Sequence, residues 1–205
     1  MEHRTVILAA GDFPRKGGTA WRLLAGAARV VACDSAADAY HRRFRKWPTV
    51  IIGDLDSLSC LPSFVSRPPS FVKVPDQNTN DLEKALSYCV QQGWRDPVIV
   101  GATGKREDHS LGNVFRALAY GCTIVTDHGR FVPVHDKTTL TVAKGAAISI
   151  FAPDPKTRMT SKGLKWPLAP VKFRNLYCAT LNRATASRVT LTTTKPVSVF
   201  IEERK

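Results

Sequence analysis

Short apolar runs alternate with segments of helical periodicity over the first 127 residues. Runs of three to five apolar residues bounded by turn residues are typical of buried strands. They predict strands at residues 6–10, 30–33, 50–52, 71–74, 98–100 and 123–125. Because strands and helices alternate, we expect a parallel sheet with helices on both of its faces.

Two of the segments between these strands are clearly amphipathic. In residues 82–90 and 111–119 the apolar side chains recur at the i, i+3, i+4, i+7 spacing of a helix. Asp81 stands at the start of the first segment and Asp108 at the start of the second, and a glycine follows each end. These segments are the most clearly predicted helices of the chain.

Past Asp136 the pattern changes to alternation with a period of two. The alternating segments are residues 140–142, 148–150, 188–192 and 197–201. Thr and Val dominate them, which favours an antiparallel module of sandwich or barrel type. We place the boundary between 128 and 138, which divides the chain into an α/β domain at 1–132 and a small all-β domain at 133–205.

Composition excludes several classes of protein. The chain has 205 residues, of which 43% are apolar and 23% are charged, so it is not disordered throughout, collagen-like or a coiled-coil rod. The formal charge is +13, and residues 137–205 hold thirteen Lys and Arg against three acids. This basic part could bind nucleic acid or a membrane surface. Its basic residues are scattered singly, which favours a solvated face near a site for anionic small molecules.

The cysteines and the apolar stretches indicate the cellular compartment of the protein. The five cysteines are odd in number, widely spaced and without a CxxC motif, which argues against disulfides and zinc and for a reducing cytoplasm. The N-terminal apolar run is too short for a signal peptide, and no run approaches about eighteen apolar residues. We therefore expect a cytoplasmic protein without a membrane partner.

Acidic residues follow every predicted strand of the first part. In an open α/β sheet, ligands bind beyond the carboxyl ends of the strands. A cluster of acids there repels itself unless cations neutralise it, and several oxygens at one point suit Mg²⁺ with phosphates as further ligands. The acids after the strands are Asp12, Asp34, Asp54, Asp56, Asp76, Asp81, Glu107, Asp108 and Asp127.

Residues 53–57, Gly-Asp-Leu-Asp-Ser, are the sharpest motif. Carboxylates two residues apart in extended chain point the same way and can share one metal ion, although an Asx-type turn is the alternative. Asp76 and Asp81 bracket a polar loop that leads into a helix, whose start is a natural phosphate site. Asp81 could equally serve as the N-cap of that helix.

The loop after the fifth strand combines glycines with cations. Gly101 and Gly104 let the backbone approach a ligand, and Lys105 and Arg106 add positive charge. Glycine spacing and the Arg exclude a Walker A loop, so the alternatives are phosphate contact and an ordinary βα loop. His109 is interpreted as a structural or positioning residue rather than a base.

A tryptophan lies in a turn of the basic part. The hexapeptide Gly-Leu-Lys-Trp-Pro-Leu at residues 163–168 contains Trp166. An exposed Trp can stack on a flat ring or a cation. On its own, however, this residue favours a core or interface position.

Four segments, in this order and spacing, resemble the thiamine pyrophosphokinase family, and most closely its short bacterial members. Residues 53–57 resemble the family's GDxDS motif, and residues 75–86 its acidic loop and helix. Residues 101–113 resemble its G-x-x-G-x-R-x-D-H-x-x-x-N segment, and residues 163–168 its Gly-Leu-Lys-Trp turn. The resemblance covers nearly the whole chain.

The resemblance implies a fold and a reaction. The fold is an α/β catalytic domain followed by a β-sandwich that binds thiamine. The reaction converts ATP and thiamine to AMP and thiamine diphosphate with Mg²⁺, in a homodimer whose active site lies between the subunits.

The resemblance also implies roles for individual residues. The residues implied around the metal and the triphosphate are Asp54, Asp56, Asp76 and Asp81. Those implied at the nucleotide are Asp34, Gln77, Gly101, Gly104, Lys105, Arg106, His109 and Asn113. Trp166 and Asn182 are implied in the thiamine pocket. The residues implied in catalysis are Asp54, Asp56, Asp81, Arg106 and Asp108. Either Asp81 or Asp108 would orient or deprotonate the thiamine hydroxyl.

The chain departs from the family pattern in three places. The family often has Asp-Gly-Gly, Thr-Asp and Ser-Asn-Glu where this chain has residues 34–36, 80–81 and 181–183.

Two other functions compete with the main hypothesis. One is another Mg²⁺-dependent transferase that uses the same DxD motif. The other is a nucleic-acid-binding protein, which is disfavoured because basic and aromatic residues do not interleave.

Overall fold

The computed structural model describes residues 5–54, 68–76 and 78–203. The chain divides into two compact units. The first runs up to Arg116 and includes Ile124–Asp127, and the second comprises Ala117–Thr123 and the chain from His128 onward. The functional division expected between residues 132 and 133 stays a prediction.

The first unit contains a parallel sheet. Its strands are β1 (Thr5–Leu8), β2 (Arg29–Cys33), β3 (Val50–Gly53), β4 (Ser70–Lys73), β5 (Val98–Val100) and β6 (Ile124–Val125). Its helices are α1 (Thr19–Ala25), α2 (Ala36–Phe44), α3 (Asp81–Gln91) and α4 (Glu107–Ala119). The strands pair in parallel in the order β6–β5–β1–β2–β3–β4. The predicted parallel α/β architecture is confirmed.

Strand order explains why the helices cover both faces. Connections between parallel strands are right-handed, so a chain that reverses its direction across the sheet moves its helices to the opposite face. The steps β1–β2 and β2–β3 put α1 and α2 on one face, where they pack on Val6, Leu8 and Ile51. After β4 the chain returns to β5 and β6, which puts α3 on the other face, against β2 and β3.

Burial on both faces accounts for the unbroken apolar runs. Along β1, Val6, Ile7 and Leu8 are all fully buried, although successive side chains point to opposite faces. The edge strand β4 is the exception, because Phe71 is 44% exposed.

The second unit is a β-sandwich, as predicted. Its strands are β7 (Gly129–Val134), β8 (Lys137–Thr141), β9 (Ala147–Phe151), β10 (Arg158–Lys162), β11 (Val171–Lys172), β12 (Ala179–Arg183), β13 (Arg188–Thr193) and β14 (Val197–Glu202). They form the antiparallel ladders β12–β9–β14–β7 and β11–β10–β13–β8. Ile150 and Val199 of the first ladder share one core with Val189 and Leu191 of the second.

Four strands of this sandwich were not predicted, namely β7, β10, β11 and β12. In β10 only Met159 is apolar, and β11 has just two residues. Such segments become strands because neighbouring strands pair with them rather than through their own pattern.

Among the described residues, no helix combines the length and the apolar character that crossing a membrane requires.

Candidate active site

Acidic side chains converge at the carboxyl ends of β2 and β3. Asp34 follows β2 and is only 7% exposed, and Asp54 directly follows β3. A Cβ built on Gly53 would lie 3.0 Å from the Asp34 Cβ and 3.5 Å from Asp81 Oδ1. Asp34 and Asp81 therefore lie against the backbone one residue before Asp54. The missing side chain of Gly53 is what permits this close approach.

The donor chemistry of this cluster suits Mg²⁺, because carboxylate oxygens are its preferred protein ligands. Among the described residues, however, no group of three or more acidic, His or Cys side chains lies close enough to hold a metal ion. Two of the expected site residues, Asp56 and Gln77, lie outside the described residues. Metal binding at this edge therefore remains a proposal.

A buried lysine belongs to this cluster and was missed by sequence reasoning. Lys84 is 7% exposed, and its Nζ lies 3.3 Å from Asp81 Oδ1. Position 84 lies off the apolar stripe of Leu82, Ala85 and Leu86, so the periodicity of the helix gave no signal for its burial. A lysine at a buried position is rarely tolerated without a charged partner, so it often indicates a site.

The N-cap of α3 is Asn80, so the interpretation of Asp81 as the N-cap is wrong. The side-chain oxygen of Asn80 accepts a hydrogen bond from the Glu83 backbone N–H at 2.9 Å. Asp81 is the first helical residue, and its carboxylate is directed to Lys84 instead.

Asp76 is held in a tight turn before this helix. Its carboxylate accepts hydrogen bonds from the Thr79 hydroxyl at 2.6 Å and from the Asn78 backbone N–H at 2.9 Å. These bonds, that from Thr79 foremost, lower the pKa of Asp76 below its usual value. The carboxylate is therefore ionised and oriented before any ligand binds.

The loops after β1 and β5 extend the pairing of those strands. Gly11 N–H donates to the Gly101 carbonyl at 2.7 Å, and a Cβ on Gly104, whose φ is +79°, would overlap the Asp12 carboxylate. The Lys105 ammonium donates to the Ala10 carbonyl at 2.8 Å. In this arrangement Lys105 binds the neighbouring loop, and its expected phosphate contact stays a prediction.

Arg106 and Asp108, both expected in catalysis, bind each other. The guanidinium donates to the carboxylate through Nε at 3.1 Å and through Nη2 at 2.6 Å. Both side chains are exposed, and the Arg106 hydrogen bonds lower the pKa of Asp108 to about 2. The neighbouring His109 is exposed in the first turn of α4.

Asn113 lies behind this loop and is 8% exposed. It donates to the Ala102 carbonyl at 2.8 Å and accepts a hydrogen bond from the Asn80 side chain at 3.2 Å. It thus connects the loop after β5 to the start of α3. The contacts of Asn113 support a positioning role for this residue.

The two expected thiamine-pocket residues meet in the second unit. Trp166 is 52% exposed, so the expected core position is wrong, while the alternative of an interface position stays a prediction. The Lys165 ammonium lies 4.8 Å from the centroid of its ring. Asn182 is 4% exposed, donates to the Trp166 carbonyl at 2.7 Å and accepts from the Trp166 N–H at 3.2 Å. Asn182 therefore holds the turn that presents the ring.

The residue before Asn182 departs from regular strand geometry. Leu181 is 81% exposed and has a φ of +62°, in the left-handed region that bulky residues rarely adopt. The register between β12 and β9 shifts at this point. This is one of the places where the chain differs from the family pattern.

The basic residues of the second unit form a solvated surface. Every Lys and Arg from residue 137 to residue 195 is exposed, including Lys144, Lys172 and Arg188. They are spread over several strands, in line with the expectation of a solvated face.

Comparisons with known proteins cover both units. The family model described as "Thiamin pyrophosphokinase, catalytic domain" matches residues 20–125, and the model of the substrate-binding domain of the same family matches residues 129–200. Thiamin pyrophosphokinase 1 of Caenorhabditis elegans is 30% identical over an alignment of 92 residues, and the match covers 41% of this chain. The chain spans 37% of the length of that relative.

Solved structures share the fold. A thiamin pyrophosphokinase family protein from Enterococcus faecalis superposes with a TM-score of 0.78 at 15% identity, covering 98% of this chain and 100% of that one. The thiamin pyrophosphokinase from Candida albicans superposes with a TM-score of 0.76 at 13% identity, covering 99% and 90%. The two family models together extend over most of the chain, and the first alone matches more than half of it, so this chain belongs to the thiamin pyrophosphokinase family.

Proposed function

We propose that this protein transfers the terminal pyrophosphoryl group of ATP to the hydroxyl of thiamine, releasing AMP and forming thiamine diphosphate. The thiamine oxygen bonds to the β-phosphorus as the bond from that phosphorus to the α-phosphate oxygen breaks, and the hydroxyl loses its proton. The observation that carries the proposal is the convergence of Asp34 and Asp81 on Gly53, beside Asp54. It occurs in a chain whose two units match the catalytic and the substrate-binding models.

We propose Mg²⁺ as the metal of this reaction. Asp54, Asp56, Asp76 and Asp81 would hold it through carboxylate oxygens, which fit a hard cation. When bound, the ion would neutralise charge on the phosphate oxygens. The turn around Asp76 supports this role, because a carboxylate with a lowered pKa is ready to bind a cation.

We assign Arg106 to neutralising charge on the transferred group. Its guanidinium is exposed and is held by Asp108, so it need not be reorganised during the reaction. Asp108, with a pKa of about 2, is a poor proton acceptor near neutral pH. We therefore assign Asp108 to orienting Arg106 and the hydroxyl rather than to taking the proton.

We propose that thiamine binds at Trp166. The thiazolium ring is cationic, and an exposed Trp face attracts cations. The Lys165 ammonium near the same ring would have to leave when thiamine arrives, since two cations on one face repel. Asn182 keeps the backbone of this turn in place.

We further propose a cytoplasmic homodimer whose active sites combine residues of both subunits. Light scattering measures the mass in solution. Mixing an Asp54→Asn variant with a Trp166→Ala variant tests the sharing of sites. Mixed dimers would regain one intact site and part of the activity, whereas sites contained in single subunits would show no recovery.

Product identification tests the activity itself. The purified protein is incubated with ATP, Mg²⁺ and thiamine, and nucleotides and thiamine species are separated. AMP and thiamine diphosphate in equal amounts support the proposal. ADP with thiamine monophosphate indicates ordinary phosphoryl transfer. Released pyrophosphate indicates a different transferase, and steeply salt-dependent nucleic-acid binding without ATP turnover indicates the nucleic-acid alternative.

A further inference from the structure

The outer face of the ladder β11–β10–β13–β8 carries positive charge only. Side chains alternate along these strands, and the inward ones, such as Met159 and Val189, are buried in the core of the sandwich. The outward ones are exposed or half-exposed. We call this outer surface the basic face. Its cations are Lys137, Arg158, Lys162, Lys172 and Arg188.

The charge of the basic face is not neutralised within the second unit. The four strands, which the structure describes in full, contain no acidic residue. The ion pairs found among the described residues involve other cations. Arg158 and Lys172 are direct partners across β10 and β11, and like charges at such positions destabilise a sheet. A sequence that retains an unfavourable pair is typical of a surface with a function.

Threonines fill the positions between these cations. Thr190 lies opposite Thr139 on one neighbouring strand and opposite Lys162 on the other. The hydroxyl oxygens of Thr139 and Thr190 are 3.0 Å apart. Hydroxyl groups donate and accept hydrogen bonds, so they can bind phosphate oxygens and sugar hydroxyls alike. The threonines of the face are Thr139, Thr141, Thr160, Thr190 and Thr192.

The basic face is broad. Neighbouring strands lie about 4.8 Å apart, so the four strands give a width of roughly 14 Å. Arg158 and Lys162 lie at the two ends of β10, roughly 13 Å apart along the strand. Cations spread over this area can be neutralised together only by a partner that carries several negative charges.

The composition of the face disfavours three classes of partner. Binding of single-stranded nucleic acid depends on aromatic side chains, and binding to a membrane surface on apolar ones that enter the lipid. These four strands contain no aromatic residue and turn their apolar residues to the core. A second copy of this chain, bound symmetrically through the same face, would place cations against cations.

Double-stranded RNA is complementary to the basic face. Its helix has a wide, shallow minor groove that displays 2′-hydroxyls between two lines of phosphates. A broad face can lie across such a groove, with threonines on the 2′-hydroxyls and cations on the phosphates. The minor groove of B-DNA is only about 6 Å wide, and DNA has no 2′-hydroxyl.

We propose that the basic face binds double-stranded RNA through phosphates and 2′-hydroxyls, without reading the base sequence. This function goes beyond the proposed transfer of pyrophosphate, because no residue of the face is assigned to that reaction. It gives a role to the positive charge of residues 137–195, which the reaction leaves unexplained.

The test measures binding of an RNA duplex in the absence of ATP and thiamine. Fluorescence anisotropy follows a labelled duplex of about 20 bp, which exceeds the length of about 16 bp that an RNA-binding domain spans. The double variant Lys162→Gln/Arg188→Gln removes two cations from the inner strands of the ladder. Arg42→Gln/Arg45→Gln removes two exposed cations of the first unit and is the charge-matched control.

Wild-type protein is expected to bind the RNA duplex with a logarithmic salt dependence of slope about −4, as for five neutralised phosphates. Lys162→Gln/Arg188→Gln should weaken binding by about tenfold or more and reduce the slope by about 2, whereas the control should stay within about twofold of wild type. Absence of binding by wild type would overturn the proposal. An equal loss in the control would also overturn it, because net charge rather than this face would then act.

Two competing probes distinguish the partner. A DNA duplex of the same sequence and vesicles containing phosphatidylserine should bind more weakly than the RNA. Equal or tighter binding of either would overturn the assignment to RNA. Thr139→Val/Thr190→Val removes two hydroxyls and should reduce the preference for RNA over DNA, and an unchanged preference would contradict the contact with 2′-hydroxyls.

Thermal unfolding verifies that the variants are folded. If Lys162→Gln/Arg188→Gln does not fold, Lys137→Gln/Lys172→Gln removes two cations from the outer strands of the same face and is expected to weaken RNA binding likewise. Wild-type affinity in that variant would contradict the proposal. Formation of thiamine diphosphate is measured separately, so a protein that binds RNA without forming this product would contradict only the proposed function.

Discussion

The side-chain amide of Asn80 donates a hydrogen bond to the side-chain oxygen of Asn113, with 3.2 Å between the two atoms. The first residue caps α3 and the second is buried in α4. Asp81, a candidate ligand of the metal, directly follows the cap. The bond therefore couples the position of a site carboxylate to a helix 33 residues away in the chain.

Substitutions at Asn80 should separate the cap from this coupling. Asn80→Ala removes both hydrogen bonds and should lower the free energy of unfolding by about 1 kcal/mol. Asn80→Ser keeps an oxygen for the Glu83 N–H but loses the bond to Asn113, so it should be the more stable of the two. Urea unfolding measures both. Equal stability of Asn80→Ala and wild type would show that the cap contributes nothing.

Asp108 should titrate far below an ordinary aspartate. Its pKa is lowered to about 2 by Arg106, against about 3.9 for an unperturbed aspartate. Because the pKa is lower in the folded state, the pair stabilises the protein above about pH 4, and this stabilisation disappears as the pH falls toward 2. Carboxyl NMR resonances followed through an acid titration measure the pKa. Arg106→Met should return it toward the ordinary value, and an unchanged pKa in this variant would show that Arg106 is not its cause.

Asp54→Asn should reduce activity by about 100-fold or more while leaving the fold intact, since it removes a carboxylate from the charged edge of the site. Steady-state rates of thiamine diphosphate formation and thermal unfolding measure the two effects. Asp96→Asn is the matched control, because Asp96 is exposed between α3 and β5, at the opposite edge of the sheet. Full activity of Asp54→Asn would exclude this residue from the site.

Asn182→Ala should affect both stability and thiamine binding. It leaves the backbone N–H and carbonyl of Trp166 without their side-chain partner, which should cost about 1–3 kcal/mol. The KM for thiamine should rise with little change in the KM for ATP. Asn175→Ala, an exposed Asn of the same unit, is the control. A rise in the KM for ATP alone would contradict the placement of thiamine at Trp166.

The pattern of apolar residues predicts the architecture of the first unit. Unbroken apolar runs require burial on both faces, and this requirement leads to a parallel sheet between helices. The position of Asp54 directly after β3 is predicted by the same apolar runs, because the end of a run marks the end of a strand. The strands of the sandwich that carry alternating Thr and Val were predictable for the same reason, and their neighbours β10 and β12 were not.

The contacts of the site side chains, by contrast, are visible only in the folded protein. Asn80 rather than Asp81 caps α3, and Lys84 is buried beside Asp81. Asn182 is bound to the turn of Trp166 rather than exposed. The burial of Lys84 depends on which face of the helix is covered, and the Asn182 contact joins residues 16 apart in the chain. The choice of cap lies between two adjacent side chains that can both accept a hydrogen bond from a backbone N–H. Periodicity and propensity do not decide these outcomes, so only the folded chain could show them.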